Sequence, residues 1–221
     1  MKKILFSLLL ISSLTFAQTE KKVGDFHKVT AFDQITVELI ASDENKVVLS
    51  GINSDEVEVI NKNGELKLRM PLTNLLKGNQ VKAKVYYIDL DAVEANEGSQ
   101  ISNESILKSV DFEIIAKEGA KINIELEVEK LTIKITSGAI VNTKGIAKNQ
   151  DVLVSAGAIY EGKELITEQT VISSNAGSEG IVFATESIDA KARAGSDIAV
   201  HGNPKQITKK TFAGGHIKIV K

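Results

Sequence analysis

The chain has 221 residues, no cysteine and no tryptophan, and 27 basic against 29 acidic side chains. This length allows one domain, or at most two, with a sizeable core. The near-neutral charge and the ordinary apolar and charged fractions, 43% and 25%, exclude a basic nucleic-acid binder, a disordered acidic chain and a collagen-like or disulfide-built scaffold.

The first predicted element is a secretory signal peptide over residues 1–17. Lys2 and Lys3 form a basic start, an apolar run follows over residues 4–14, and Ala17 supplies the small residue before a cleavage site. The run is shorter than the about 20 apolar residues that a membrane-spanning helix needs. We therefore expect cleavage after Ala17 and a mature chain over residues 18–221 without a transmembrane segment. It would lie in the periplasm, at the outer-membrane surface or outside the cell.

Residues 23–90 contain short alternating strands without a repeat. Asn63-Gly64 is typical of a hairpin turn, and Pro71 ends the strand that follows it. We interpret this region as a small antiparallel β unit that pairs with the first coil of the following repeats and caps it. Such a cap is expected because the terminal units of a repeat rod must hide its open end.

Residues 93–221 repeat one step, a glycine followed by a small residue, at intervals of 18 to 21 residues. The seven glycines are Gly98, Gly119, Gly138, Gly157, Gly177, Gly195 and Gly214. Between them apolar and polar residues alternate, as in Leu131-Thr132-Ile133, which predicts half-buried strands. A constant period of this length is typical of stacked repeats, and hairpins do not readily explain it.

The predicted fold class is all-β: a right-handed parallel β-helix of about seven coils with a small antiparallel β N-terminal cap, in a single domain over residues 18–221. Equivalent residues would stack at about 4.8 Å. We expect the seven glycines to be structural turn residues. At such a corner the backbone bends, and a side chain would strike the coil above or below. None of the seven matches a phosphate-binding loop.

The sequence offers no catalytic residues and no cofactor-binding set. Cysteine chemistry is excluded, and the three histidines do not have the spacing of a zinc protease motif. One constellation stands two residues after the last three glycines: Glu179, Asp197 and His216. Because equal offsets stack on neighbouring coils, these side chains would form an outward ladder that a divalent metal could bind or that could share a proton. The alternative is an exposed polar row on a solvated face.

The steps Lys-Glu-Gly-Ala, Thr-Ser-Gly-Ala, Ser-Ala-Gly-Ala and Arg-Ala-Gly-Ser resemble a known family, as do Val85-Tyr86-Tyr87 and Gly202-Asn203-Pro204-Lys205. Together they are similar to the family described as "putative auto-transporter adhesin, head GIN domain", from about Phe26 to Val220. The resemblance implies a secreted bacterial β-helical protein of the cell envelope with a role in adhesion. It brings no agreed catalytic residues.

Three functions follow from these features. The leading hypothesis is a secreted or envelope-associated, non-enzymatic adhesin or binding module that presents a polar strand face to a glycan, a matrix protein or an envelope protein. The second is a carbohydrate-active β-helix enzyme, which needs clustered acids or a calcium site beside a basic residue in a groove. The third is a periplasmic scaffold or sensor module, which the sequence does not separate from the first. The oligomeric state stays open.

Overall fold

The computed structural model of the chain describes residues 19–220, so the predicted signal peptide over residues 1–17 lies outside the described residues. Within them, no helix is long and apolar enough to cross a membrane. Three short 3-10 turns lie at Ser54–Glu56, Leu72–Asn74 and Gly78–Gln80. The strands in chain order are β1 (Thr19–Lys22), β2 (Lys28–Ala31), β3 (Thr36–Ala41), β4 (Lys46–Gly51), β5 (Glu58–Lys62), β6 (Glu65–Arg69), β7 (Val81–Tyr87), β8 (Ala92–Ala95), β9 (Gln100–Asn103), β10 (Leu107–Ala116), β11 (Lys121–Ile135), β12 (Ile140–Ser155), β13 (Ile159–Asn175), β14 (Glu179–Phe183), β15 (Ser187–Arg193), β16 (Asp197–His201), β17 (Gln206–Phe212) and β18 (His216–Ile219).

The strands stack into three faces around one core. The first face contains β6, β2, β8 and β10, then the C-terminal parts of β11, β12 and β13, then β15 and β17. The second face contains β7, β3 and β9, then the N-terminal parts of β11, β12 and β13, then β14, β16 and β18. The third face contains the start of β10 and the middle of β11, β12 and β13. Each of the three long strands therefore bends through all three faces.

Neighbouring coils pair in parallel, which confirms the predicted β-helix of about seven coils. Register places Ile114 opposite Ile133, then Val152, Ile172 and Ala190 on the following coils. All five point inward and are buried. Burying one such aliphatic side chain stabilises the fold by about 1.5–3 kcal/mol, so these inward columns hold the coils together.

The N-terminal unit contains the predicted antiparallel pairs and also extends the parallel stack. Strand β4 pairs antiparallel with β1 and β7, and β5 pairs antiparallel with β6. In addition, β2 pairs in parallel with β6 and β8, and β3 pairs in parallel with β7 and β9. The sequence did not predict these parallel pairs, because the chain visits the coils out of order. The coil formed by β6 and β7 lies outside that of β2 and β3, although it comes later in the chain.

The seven repeat glycines lie at the corner between the first and second faces. Each follows a residue that also has a positive φ, as at Ser137 (55°) and Gly138 (69°). In six of the seven turns the next amide donates to the carbonyl three residues earlier, as from Ala139 to Thr136, and in the seventh the hydroxyl of Ser178 donates to the carbonyl of Asn175. Positive φ at both central residues is typical of a type I′ turn and favours glycine. The turns also stack, because the amide of Gly138 donates to the carbonyl of Ala156 on the next coil.

Of the two reasons predicted for these glycines, the backbone bend agrees with the structure and the steric conflict does not. A side chain at Gly119, Gly138, Gly157, Gly177 or Gly195 would meet nothing within 4 Å, so steric conflict with the neighbouring coil does not explain them. The backbone conformation does. The residue after the glycine is small because it is buried at the corner, as with Ala139 and Ser196.

Candidate functional site

The structure places Glu179, Asp197 and His216 opposite one another on β14, β16 and β18, in one outward row of the second face. The Nδ1 atom of His216 lies 3.5 Å from Oδ1 of Asp197, and both side chains are more than half exposed. Among residues 19–220, however, no three His, Cys, Asp or Glu side chains are grouped closely enough to hold a metal ion. Metal binding by this row stays a prediction, which a zinc or calcium titration followed by melting temperature tests.

A groove of about 1390 Å³ lies on the long side of the rod, and we call it the side groove. It lies where the third face meets the first and crosses strands β10 to β13. Val110, Ile146 and Ile166 line it with exposed apolar side chains, 70%, 56% and 49% exposed. Ile146 and Ile166 lie opposite each other on neighbouring coils, so they form part of a continuous apolar strip.

Charge in the side groove is strongly asymmetric. Its lining contains three lysines (Lys108, Lys130 and Lys148) and seven carboxylates: Asp89, Asp91, Asp111, Glu113, Glu127, Glu129 and Glu168. Residues 19–220 contain five more acidic than basic side chains, and the lining of the side groove alone contains four more acidic than basic ones. The net negative charge of residues 19–220 therefore lies mostly in the side groove.

Part of this groove charge is neutralised by ion pairs. Lys108 contacts Glu127 at 2.8 Å, and Lys148 lies 3.8 Å from Glu129. Such exposed pairs stabilise little and exchange readily with a partner's charges. Asp111 makes no ion pair within the described residues, so its carboxylate is available to a cationic ligand.

A second, smaller cavity of about 290 Å³ continues from the side groove onto the first face, and we call it the amide cleft. It shares Lys130 with the side groove. The remaining lining residues are mostly amides, hydroxyls and carboxylates: Asn149, Gln150, Asp151, Gln169, Thr170, Val171, Ser187, Ile188, Asp189, Gln206 and Thr208. The amide cleft thus differs from the side groove in offering side-chain amides, because the lining of the side groove contains none.

A buried polar network lies beneath the amide cleft. The amide of Gln150 donates to the hydroxyl of Tyr160, which is also 2.7 Å from the hydroxyl of Thr143. Thr170 donates to Oε1 of Gln150 at 3.3 Å, and its hydroxyl is 2.6 Å from that of Thr167. All five side chains are buried. Burial raises the pKa of the Tyr160 phenol well above its usual value, so Tyr160 stays protonated and holds the network in one arrangement.

A third feature is an apolar loop at the corner between β6 and β7. Leu72, Leu75 and Leu76 are 86%, 50% and 53% exposed there. The buried carboxylate of Asp33 fixes the loop by accepting hydrogen bonds from the amides of Met70 (2.9 Å) and Leu76 (3.1 Å). The exposure of three leucines is therefore imposed by the fold.

Neither the side groove nor the amide cleft was predicted from the sequence. The signal that marks their position is a break in the alternation, with two consecutive outward residues at Glu129-Lys130 and again at Glu168-Gln169. Each pair turns the chain from the third face to the first. The inward residues on either side of the second pair, Thr167 and Thr170, are polar, and this makes the break harder to recognise in the sequence.

Comparison with known proteins gives a consistent family and fold. The family model described as "putative auto-transporter adhesin, head GIN domain" matches residues 25–204. A solved structure of a putative adhesin from Bacteroides fragilis is similar at a TM-score of 0.86 and 20% identity, covering 94% of this chain and 98% of that one. A putative lipid binding protein from Parabacteroides distasonis has a TM-score of 0.74 and 15% identity, covering 93% and 96%.

A further structure, a putative adhesin from Parabacteroides merdae, is similar at a TM-score of 0.74 and 14% identity, covering 93% of this chain and 96% of that one. The comparison with curated proteins gives no match. At these identities the solved structures show the fold alone.

Proposed function

Because this chain belongs to the family described as "putative auto-transporter adhesin, head GIN domain", we propose that it is an exported, non-enzymatic binding module of the cell envelope. It acts as an adhesin by presenting one long side of its β-helix to a partner. The side groove is the observation that carries this proposal, because it combines an exposed apolar strip with an excess of carboxylates.

The shape of the side groove fits an extended segment of another protein. Strands β10 to β13 and the coil beyond them span about 19 Å at the usual strand spacing. An extended chain of about six residues covers that length. Apolar side chains of the segment would lie on Ile146 and Ile166, and its basic side chains would meet carboxylates such as Asp111. The partner class is therefore an envelope or matrix protein with a segment rich in basic and apolar residues.

Peptide binding to the mature chain tests this assignment. The probe is a fluorescent six-residue peptide that alternates lysine and valine, and its counterpart carries glutamate in place of lysine. We expect only the lysine peptide to bind, more weakly as salt rises, because exposed charges are screened. The triple variant Asp111→Asn, Glu129→Gln, Glu168→Gln should bind it about tenfold more weakly, as loss of charged hydrogen bonds predicts.

A matched variant controls for net charge. The substitutions Asp197→Asn, Glu161→Gln and Glu179→Gln remove the same three charges outside the side groove. We expect this variant to bind the lysine peptide like the unmodified chain. Equal weakening in both variants would show that the attraction is unspecific and would contradict the groove as a site.

Location is tested on intact cells. External protease should cut the protein while it spares a periplasmic marker, as export to the surface requires. Protection until the outer membrane is opened would favour the periplasmic scaffold or sensor instead. The non-enzymatic part of the proposal predicts no new reducing ends when the protein is incubated with a panel of polysaccharides.

Contact with a lipid surface is a second candidate function, and the apolar loop is the observation that favours it. The buried Asp33 carboxylate fixes the loop so that its leucine side chains stay exposed to water, which is unfavourable. Contact with the acyl chains of a lipid would remove this exposure. Leu72, Leu75 and Leu76 would insert together, since they lie within five residues of one another. One structural neighbour is described as a putative lipid binding protein, which is consistent with this candidate.

Sedimentation with phosphatidylcholine vesicles tests the lipid candidate. We expect the mature chain to sediment with the vesicles and the variant Leu72→Ser, Leu75→Ser, Leu76→Ser to stay in the supernatant. The control variant Ile88→Ser, Ile106→Ser, Leu153→Ser removes three exposed apolar residues elsewhere. Sedimentation lost equally in both variants would argue against a role of the loop.

A further inference from the structure

We propose that the amide cleft binds an uncharged sugar ring of a glycan. The cleft is separate from most of the side groove, and its function does not depend on a protein partner there. Three observations carry the proposal: the arrangement of its outward rows, an unused buried acceptor and a preorganised polar floor.

Two outward rows of the first face form the walls of the amide cleft. One row places Asn149, Gln169, Ser187 and Gln206 opposite one another, and the other places Asp151, Val171, Asp189 and Thr208 opposite one another. Asp151 and Asp189 therefore lie two strand spacings apart, about 9–10 Å, with Val171 between them. Val171 is 43% exposed and offers the apolar surface on which the C–H groups of a sugar ring can rest.

The polar groups of the walls match sugar hydroxyls. Ionised carboxylates only accept hydrogen bonds, whereas the Gln169 and Gln206 amides both donate and accept. A sugar hydroxyl is likewise donor and acceptor, so it can bridge a carboxylate and an amide. An acidic sugar would bring a like charge between Asp151 and Asp189, and we expect the cleft to reject it.

Asp189 holds an acceptor that nothing in the described residues uses. Its Oδ1 atom is buried and has no hydrogen-bond partner among them, while Oδ2 lies 3.5 Å from Nζ of Lys191. A buried acceptor without a partner is unfavourable. Because the Asp189 side chain is 38% exposed as a whole, rotation of its carboxylate brings this oxygen to the surface of the cleft, where a ligand hydroxyl can donate to it.

The floor of the amide cleft is already ordered. Gln150 and Thr170 line the cleft from below, and they are only 4% and 2% exposed. Their hydrogen bonds to Tyr160 and Thr167 fix both side chains before a ligand arrives. Preorganised groups lose little freedom on binding, which favours affinity. Because no aromatic ring is among the residues that line the cleft, we expect affinity for one sugar ring in the millimolar range.

Saturation-transfer NMR on the mature chain tests the proposal. The probes are methyl glycosides of glucose, galactose, mannose, fucose and N-acetylglucosamine, each at about 10 mM, above the expected dissociation constant. The methyl glycoside of glucuronic acid is the charged comparison. We expect transfer to at least one uncharged sugar and none to the glucuronide. Absence of transfer to all five uncharged sugars would overturn the proposal, as would equal transfer to the glucuronide.

Variants locate the binding. Val171→Lys blocks the cleft with a long side chain, and Asp189→Ala removes the unused acceptor. Each should weaken sugar binding about tenfold or more. Both positions are partly exposed, so the fold should persist, which melting temperature checks. The control Asp197→Ala on the second face should leave binding unchanged.

Binding that survives Val171→Lys would overturn the assignment to the amide cleft. The triple variant Asp111→Asn, Glu129→Gln, Glu168→Gln keeps the cleft and should still bind sugar. Loss of peptide binding and loss of sugar binding therefore have separate causes, and failure of one proposal leaves the other standing.

Discussion

The corner between the first and second faces is built in two chemically different ways. In the repeat coils each turn has a residue with positive φ followed by glycine, as at Ser137-Gly138. In the N-terminal unit the equivalent turn contains Asp33 and Gln34, with φ of 57° and 66°, and no glycine. Both turns are closed in the same manner, by the amide of Ile35 donating to the carbonyl of Phe32 in the N-terminal unit.

Gln34 holds the position that glycine has in the repeats, and the residue before it, Asp33, supplies side-chain hydrogen bonds to a neighbouring loop. Asp33 is buried and its carboxylate binds the amides of Met70 and Leu76, while its carbonyl accepts from the amide of Gly78. These bonds stabilise a conformation that aspartate adopts with some strain. They also attach the apolar loop to the rod, so the N-terminal corner carries a surface feature that the glycine corners lack.

The substitution Asp33→Ala tests the difference between the two kinds of corner, and we expect it to have the largest effect on the free energy of unfolding. It leaves the buried amide of Met70 and the partly buried amide of Leu76 without an acceptor, and a buried amide without a partner costs about 1–3 kcal/mol. The free energy of unfolding, measured in urea, should fall by about 3 kcal/mol. Asp55→Ala removes an exposed carboxylate in the same unit and should change it little. Equal denaturation midpoints for both variants would show that Asp33 does not hold the corner.

A second contrast concerns the interior, which is aliphatic at Leu66 and Leu68 of the N-terminal unit and polar around Tyr160 in the repeats. Tyr160→Phe removes the hydroxyl that accepts from Gln150. The free energy of unfolding should fall by about 2 kcal/mol, because the amide of Gln150 is left without a partner in the core. The double variant Tyr160→Phe, Gln150→Leu should recover part of this loss. If the double variant were no more stable than Tyr160→Phe alone, the unpaired amide of Gln150 would not be the cause of the lost stability.

The third prediction concerns the glycine corners. Gly138→Ala places a Cβ in open space, so only the positive φ opposes it, and we expect a loss of about 1 kcal/mol in the free energy of unfolding. Gly24→Ala is the matched control, because its Cβ has ordinary contacts and its φ is not positive. A loss much larger than about 1 kcal/mol would restore the steric explanation.

The β-helix can be predicted from the sequence because each repeat is marked by residues that are close together in the chain. Glycine after a turn residue and alternation such as Leu131-Thr132-Ile133 each depend on residues near in the chain, and every copy repeats the signal. The parallel pairs of β2 and β3 escape prediction because their partners are up to 64 residues away and out of chain order. No local pattern encodes that order.

The candidate sites escape prediction for a related reason. The side groove joins Val110, Ile146 and Ile166 from three coils, and each alone is an ordinary strand residue. The amide cleft joins Asp151 to Asp189 across Val171. By contrast, the row of Glu179, Asp197 and His216 was predicted from equal offsets, and the structure places it in register. Equal offsets from the repeat glycines predict which residues form a row on neighbouring coils. The concave surfaces depend instead on how the three faces of the β-helix meet.

The smallest expected effect concerns two glutamates on either side of the corner residue Asn96. Burial raises the pKa of Glu94, but hydrogen bonds from Lys117 (2.8 Å) and Lys28 (2.6 Å) outweigh it and leave that pKa below its usual value. Burial and the nearby Asp33 carboxylate raise the pKa of Glu97. The two groups therefore make stability depend on pH in opposite directions.

The sign follows from each folded-state pKa. Glu94 stabilises the fold above its unfolded pKa of about 4.3, and that contribution is lost as pH falls through the lower folded value. Glu97 has the higher folded value, so its ionisation opposes folding as pH rises above about 4.3. In urea titrations at stepwise lower pH, Glu94→Gln should flatten the loss of stability below about pH 4. Glu97→Gln should raise stability at neutral pH and steepen the loss in acid. If both variants shifted the acid limb in the same direction, the two glutamates would not have opposite roles at this corner.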